Sequence, residues 1–344
     1  MRGRDGLFPL IAWLVVVCAV AGAQDGNQQF ANLGDLKLQS GEVLRDCRIG
    51  YRTFGKLDAT RSNTILFPTW AGGTTEQLSA SIGPGKLADS SKYFVIAVDA
   101  LSNGVSSSPS NSVIQPRMSF PKITIRDMVE SQHRLLTEKL GIHHVMAVMG
   151  ISMGGMQTFQ WMVAYPDFMD KAIPIVGSPR LAAYDLVLWQ AQIDSIMNDK
   201  AWNNGDYKES PARVSNAEFG ALVLTTPQRY NAETTREKAL QSLSAAKSDW
   251  AYDANNHIRQ DQAMMALDVS EALGGSMEKA AASVRAKVLV VVALQDHTVT
   301  PAPAMEFGKW IRAELLTLNN ECGHQLTSCE NDRVVSAVSE FLQK

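Results

Sequence analysis

Apolar positions follow two patterns along this chain. In one pattern, short unbroken apolar runs sit between longer stretches of mixed polarity: Thr64 to Phe67, Tyr93 to Val98, His144 to Met149 and Lys171 to Val176. Runs of that length bounded by polar turns predict strands buried on both faces, the signature of a parallel sheet. Thr124 to Leu140 alternates with the period of an amphipathic helix, and right-handed crossovers make the strands around it βαβ units. Gly154 to Ala164 predicts a further helix of about ten residues, stopped by Pro166. Strands are predicted again at Lys287 to Leu294 and Glu314 to Leu318, with a helix over Ala302 to Arg312 between them and a closing helix over Glu330 to Gln343. Near the start, Glu42 to Phe54 predicts two short strands in which Val43, Cys47, Ile49 and Tyr51 share a parity and hence a face. Gln24 to Asn32 is polar and reads as a loose tether.

From Tyr184 to about Ala282 the second pattern takes over. This segment is rich in Ala, Gln, Met and Trp and has no long β-branched run apart from Leu222 to Thr226. Such a stretch is too long for a connecting loop, so it predicts a mostly helical insertion. The fold class expected from this pattern is α/β: a mostly parallel central sheet flanked by helices, with a helical lid insertion. The expected division is a signal peptide over 1–23, a catalytic domain over 24–180 and 283–344, and a lid over 181–282.

A chain of 344 residues with 45% hydrophobic side chains buries a substantial core. Net charge is −3 and basic residues nowhere cluster, which argues against a nucleic-acid partner. Arg2 and Arg4, the apolar run Leu7 to Val20 and the small residues Ala21-Gly22-Ala23 have the three parts of a secretory signal, with cleavage expected after Ala23. The run is short for a membrane span, and Cys18 follows Val17 where a lipoprotein signal would carry a small residue. These features predict a periplasmic or secreted protein with no membrane attachment once the signal is removed. No pair of histidines has the spacing of a zinc site, and no cofactor or metal is expected.

The most specific chemical signal is Gly150-Ile151-Ser152-Met153-Gly154, a G-x-S-x-G pattern between the predicted strand at 144–149 and the predicted helix. A serine on a sharp strand-to-helix turn needs a strained backbone and neighbours close to hydrogen in size. A serine hydroxyl needs a base, and the base an orienting carboxylate; in the α/β-hydrolases that carry this elbow pattern they follow in the order Ser, acid, His. Asp296 stands at the C-terminal end of the strand KVLVVVALQ, and His324 in ECGHQ just after the last strand. His133, His143, His144 and His257 are read as structural or solvent-facing, and His297 as a loop or pocket residue. One oxyanion-binding N–H is expected from Met153, immediately after the nucleophile.

Around this elbow the chain resembles the homoserine O-acetyltransferase family of α/β-hydrolases. The likeness lies in YRTFGKLDATRSNTILFPTWAGGT (Tyr51 to Thr74), IGPGKLADSSKYFVIAVDALSNG (Ile82 to Gly104), FPKITIRDMVESQHRLL (Phe120 to Leu136), GISMGGMQTFQWMVAYPD (Gly150 to Asp167) and YDANNHIRQDQAMMALD (Tyr252 to Asp268). It implies the triad Ser152, Asp296 and His324, a second oxyanion donor from Trp70 or Ala71, and a homodimer through the lid. Two departures stand out. The family places an aspartate directly after the histidine and an arginine in the lid to hold homoserine. Here Gln325 follows His324, and Glu218 to Pro227 lacks an arginine, with Arg213 and Arg229 on either side. Homoserine's two charges would then be stranded in a desolvated pocket. Together with export, away from cytosolic acetyl-CoA, this favours an exported serine-dependent esterase of small acyl esters working through an acyl-serine intermediate; the alternative is an acyltransferase with another acceptor or donor. Cys322 and Cys329 bracket His324, and an oxidising compartment lets them pair; two separate thiols are the other reading, and Cys47 is left over on its own strand.

Overall fold

A computed structural model of the chain describes residues 26–211, 213–241, 243 and 252–344. The segment read as a signal peptide lies outside the described residues. In chain order the principal elements are β1 (Gln29–Lys37), β2 (Val43–Phe54), β3 (Thr64–Pro68), β4 (Phe94–Val98), α1 (Ile125–Arg134), β5 (Val145–Ile151), α2 (Met153–Ala164), β6 (Met169–Ile175), α3 (Ala183–Met197), α4 (Arg213–Val223), α5 (Pro227–Glu233), α6 (Ala254–Met265), α7 (Met277–Ser283), β7 (Lys287–Ala293), α8 (Ala302–Trp310), β8 (Glu314–Leu318) and α9 (Asn331–Gln343).

Eight strands of the described residues form one sheet in the order β1-β2-β4-β3-β5-β6-β7-β8. Strands β1 and β2 are antiparallel to their neighbours, and every pairing from β4 across to β8 is parallel. Alternate residues of each inner strand enter opposite cores. Leu66, Ile96, Val148 and Val290 pack against α1, α2, α7 and α8. Ile65, Val95, Ala147 and Val291 face the other way, toward Val334, Val338 and Phe341 of α9. Burial on both faces is why these strands are apolar throughout.

The N-terminal edge departs from the sequence expectation in two ways. Gln29–Lys37 is a strand rather than part of a tether, burying Ala31, Leu33 and Leu36. Glu42 to Phe54 holds one long strand rather than two. Within it Cys47, Ile49 and Tyr51 are buried together as expected, but Leu44 is buried in place of Val43. Register slips opposite β1, and Asp46 in the left-handed region at φ 48°, shift the parity between the two halves of the strand.

Between β6 and β7 the described residues are helical. A bridge between Arg180 and Asp268, with their ion pair at 3.3 Å, closes the neck of this insertion. Its own small core joins α3 to α6 through Ile193, Ile196, Trp202 and Ile258. Helix α7, inside the expected lid boundary, instead packs Ala280 and Ala281 into the sheet's core. No helix among the described residues is long and apolar enough to cross a membrane.

Candidate active site

Ser152 sits between β5 and α2 with φ 58° and ψ −121°, a conformation that an L-residue holds only when its surroundings enforce it. The flanking glycines make room for the turn. A Cβ on Gly150 would lie 2.2 Å from the carbonyl carbon and oxygen of Gly154, and one on Gly154 would lie 2.6 Å from the Pro68 oxygen. Any side chain at either position would push the elbow open. Helix α2 then starts at Met153, so its N-terminal N–H groups and the positive end of its dipole lie beside the serine hydroxyl.

The structure brings the three distant residues together. His324 Nε2 is 2.8 Å from Ser152 Oγ, and His324 Nδ1 is 2.7 Å from Asp296 Oδ2. The other carboxylate oxygen of Asp296 accepts from the N–H groups of Thr298 at 2.8 Å and Val299 at 3.0 Å. Asp296 is buried and locked in orientation, so His324 is fixed as the tautomer that donates from Nδ1 and accepts the serine proton at Nε2. Thr298 Oγ1 donates to the Val223 carbonyl at 2.8 Å, and Gln325 N–H to the Leu224 carbonyl at 3.2 Å. These two bonds tie the acid and histidine loops to the end of α4. Cys322 and Cys329 form a disulfide around the histidine turn, their Cα atoms 6.3 Å apart, and Cys47 is a free, buried thiol pushed up to about 12 by its burial.

Trp70 and Ala71 lie beside the serine in the loop after β3. Gln157, fully buried on α2, donates from Nε2 to the carbonyls of Thr69 and Met153, each at 3.1 Å. Its Oε1 accepts from Gln132 Nε2 at 2.5 Å, and Trp161 Nε1 donates to Gln132 Oε1 at 2.8 Å. Gly72 N–H is engaged by Gln260 of α6 at 2.7 Å, and Gly73 N–H by the Trp70 carbonyl at 3.0 Å. Gln157 was visible in the elbow helix, but its role depends on the packing of α2 against β3 and has no local signal.

Ser152 and His324 open onto a cavity of about 480 Å³, within the range of small-molecule sites. Trp70, Ala71 and Ile151 form its sheet side; Trp189 and Gln192 of α3, Val223 and Leu224 at the end of α4, and His257 of α6, all in the helical insertion, form the opposite side. No Lys, Arg, Asp or Glu lines it among the described residues. Arg229 turns aside to pair with Glu233 at 2.8 Å. Of the two sequence readings of His257, structural or solvent-facing, the structure fits the first: it is buried at the pocket wall, 3.1 Å from Asp261. Of the other histidines, His133 stacks on Tyr165 with ring centroids 4.0 Å apart, and His144 bonds Asp170 at 3.0 Å. Among the described residues no group of three His, Cys, Asp or Glu side chains is placed to hold a metal ion.

The geometry can generate an alkoxide-like nucleophile at Ser152 and hold the resulting imidazolium against Asp296. Residues 65–326 match the model of the alpha/beta hydrolase fold. The chain is 34% identical to an ethyl acetate hydrolase of Pseudomonas veronii, over 87% of this chain and 89% of that one. It is 29% identical to a homoserine O-acetyltransferase of Geotalea uraniireducens, over 90% and 94%. The crystal structure of the acetyl esterase MekB superposes with a TM-score of 0.85 at 31% identity, covering 93% of this chain and 97% of that one.

Proposed function

This chain belongs to the α/β-hydrolase family and is related to the homoserine O-acetyltransferases, and from that footing we propose that it is an exported serine esterase that hydrolyses small, uncharged acyl esters. The observation that carries the reading is His324 held between Ser152 and Asp296 at 2.8 and 2.7 Å, at the mouth of a pocket lined by no ionised Asp, Glu, Lys or Arg among the described residues. Ser152 Oγ adds to the ester carbonyl while His324 Nε2 takes its proton. The tetrahedral oxyanion collapses, the alcohol leaves with that proton, and the acyl group stays on Ser152. Water, deprotonated by His324, then releases the acid and restores the serine.

For the oxyanion hole we assign the N–H groups of Met153 and Trp70, in preference to Ala71. All described peptides are trans, and across a trans peptide C=O and N–H point in opposite directions. Gln157 holds the Thr69 carbonyl toward α2, so the N–H of the same peptide unit, that of Trp70, points away from α2. In this reading the helical insertion acts as the lid. Exposed Tyr184 and Val187 on α3 and Leu222 on α4 support a homodimer through it, which sedimentation of the purified protein tests. Export rests on the charged start, apolar run and Ala21-Gly22-Ala23 site; intact-mass analysis of the recovered protein should find Gln24 as its first residue, and a chain still carrying Met1 would contradict it.

The alternative, acyl transfer to an alcohol such as homoserine, shares every step up to the acyl-serine. Against homoserine stand Gln325 after the histidine, the diverted Arg229 and the uncharged pocket lining. The deciding experiment incubates purified protein with ethyl acetate in water and, separately, with acetyl-CoA and homoserine. Ester hydrolysis should exceed transfer; robust formation of O-acetylhomoserine would overturn the reading.

A further inference from the structure

The lid side of the pocket holds polar groups that the triad chemistry does not use. Trp189 and Gln192, three residues apart on α3, share one face of that helix and both line the cavity. Each is more than nine-tenths buried. The indole Nε1–H of Trp189 is buried without a hydrogen-bond partner. A buried donor left unpaired loses its hydration with nothing in return, so a well-packed wall retains one only for a reason.

Gln192 is oriented by what lies behind it. Its Oε1 is 3.2 Å from His257 Nε2, and the same nitrogen is 3.1 Å from Asp261 Oδ2. Asp261 is fully buried one turn further along α6. Nε2 therefore carries the proton and donates it to Gln192 Oε1, with the Asp261 carboxylate beside it. With the amide oxygen committed to His257, the NH₂ end of Gln192 is the group left to a ligand, and it finds no hydrogen-bond partner among the described residues. Tyr252 packs edge-on to the His257 ring, with centroids 5.2 Å apart, and restricts its tilt. The wall thus holds two neutral donors without a protein partner among the described residues, the buried Trp189 Nε1–H and the Gln192 Nε2–H, with His257 and Asp261 behind them.

We propose that Trp189 and Gln192, the latter oriented by His257 and Asp261, form a recognition site for a second, uncharged oxygen acceptor on the substrate, making partially acylated diols and polyols the preferred ester class over plain alkyl esters. The inference rests on the esterase reading and refines it. A hydroxyl or ether oxygen satisfies both donors. A carboxylate does not suit the site, because no lysine or arginine lines the cavity among the described residues and the Asp261 carboxyl lies behind His257. A site built to hydrogen-bond a substrate oxygen discriminates strongly against the analogue lacking it, whereas an apolar pocket gains little from one methylene.

The test compares isosteric pairs by kcat/KM: 2-hydroxyethyl acetate against propyl acetate, and 4-hydroxybutyl acetate against pentyl acetate, with 4-acetoxybutanoate as the anionic member. The full-length mature protein should prefer the hydroxylated member of at least one pair by about tenfold or more. Gln192→Leu should lower that ratio by about tenfold, and Trp189→Phe should lower it by a smaller factor. Because the readout is a ratio within one preparation, partial misfolding does not mimic it. A wild-type ratio near one in both pairs, an equal loss on both members in Gln192→Leu, or a preference for 4-acetoxybutanoate would each overturn the proposal. If neither neutral ester is turned over and Ser152 resists fluorophosphonate, the esterase reading itself fails; if Ser152 labels and p-nitrophenyl acetate is hydrolysed while the ratios stay near one, only this inference falls.

Discussion

The C-terminal edge of the sheet and the lid that faces it are held by opposite kinds of contact. At the sheet edge the polar atoms of the triad and its supports are matched: Asp296 accepts from two backbone N–H groups and from His324, and Gln157 spans the carbonyls of Thr69 and Met153. On the lid, Trp189 Nε1 has no partner, and Asp261 lies 3.1 Å from His257 Nε2 without a well-aligned hydrogen bond to either carboxylate oxygen. The lid's own core is small, and the sheet's two cores are large. The first region is built to be complete before substrate arrives, as electrostatic preorganisation requires. The second keeps donors in reserve, as recognition of a variable group requires.

That contrast breaks most readily at the acid. Asp296→Asn leaves the packing nearly unchanged but no longer fixes the tautomer of His324, so kcat should fall by about 10⁴, measured on a simple acetate ester. A loss under tenfold would mean that another group orients the histidine. Next comes Gln157→Leu. Freeing the Thr69–Trp70 peptide should lower kcat by about 10²–10³ with a much smaller change in KM, the mark of an interaction realised in the transition state. A loss confined to KM would remove Gln157 from the oxyanion account.

The disulfide sharpens the comparison from the edge of the site. Closing a loop of about eight residues contributes about 2.5 kcal/mol on a chain-entropy basis. Reduction should lower Tm and, by letting His324 drift, reduce turnover several-fold. Unchanged turnover after confirmed reduction would confine the bond to stability.

The smallest effect is expected on the lid, with its sign set by burial. Burial pushes the Asp261 carboxyl above its ordinary value, and His257 pulls it back only in part. A carboxyl raised in the folded state favours folding below its unfolded value, and that contribution is lost as pH rises through the folded value. Asp261→Asn, which mimics the neutral form, should therefore raise Tm by about 2 °C or more at neutral pH, with little change at acid pH. A fall in Tm at neutral pH would show that the interaction with His257 outweighs desolvation.

The same division decided what was legible in the sequence. Strands β5, β6 and β7 announce themselves because both of their faces are buried, and the Ser152 elbow because only glycine fits at positions 150 and 154. β1 was hidden because it is a half-buried edge strand whose register slips around Gly34, which disrupts the alternation that would reveal it. The burial of Leu44 in place of Val43 follows from the irregular backbone around Asp46, which no parity count detects. His257, Gln192 and Trp189 carry no local pattern at all: α3 and α6 are brought together by non-local packing around Ile193, Ile196 and Ile258. Motifs under backbone constraint can be read from short windows, whereas a recognition wall assembled from two helices cannot.

The central claim is that Ser152 is the nucleophile activated by His324 and Asp296. Its most direct test is reaction of the purified protein with a fluorophosphonate, followed by peptide mass analysis. The adduct should map to Ser152, form rapidly in the wild type, slow sharply in His324→Ala and vanish in Ser152→Ala along with ester turnover. An unlabelled wild type, under conditions where a known serine hydrolase labels, or full activity in Ser152→Ala, would contradict the account.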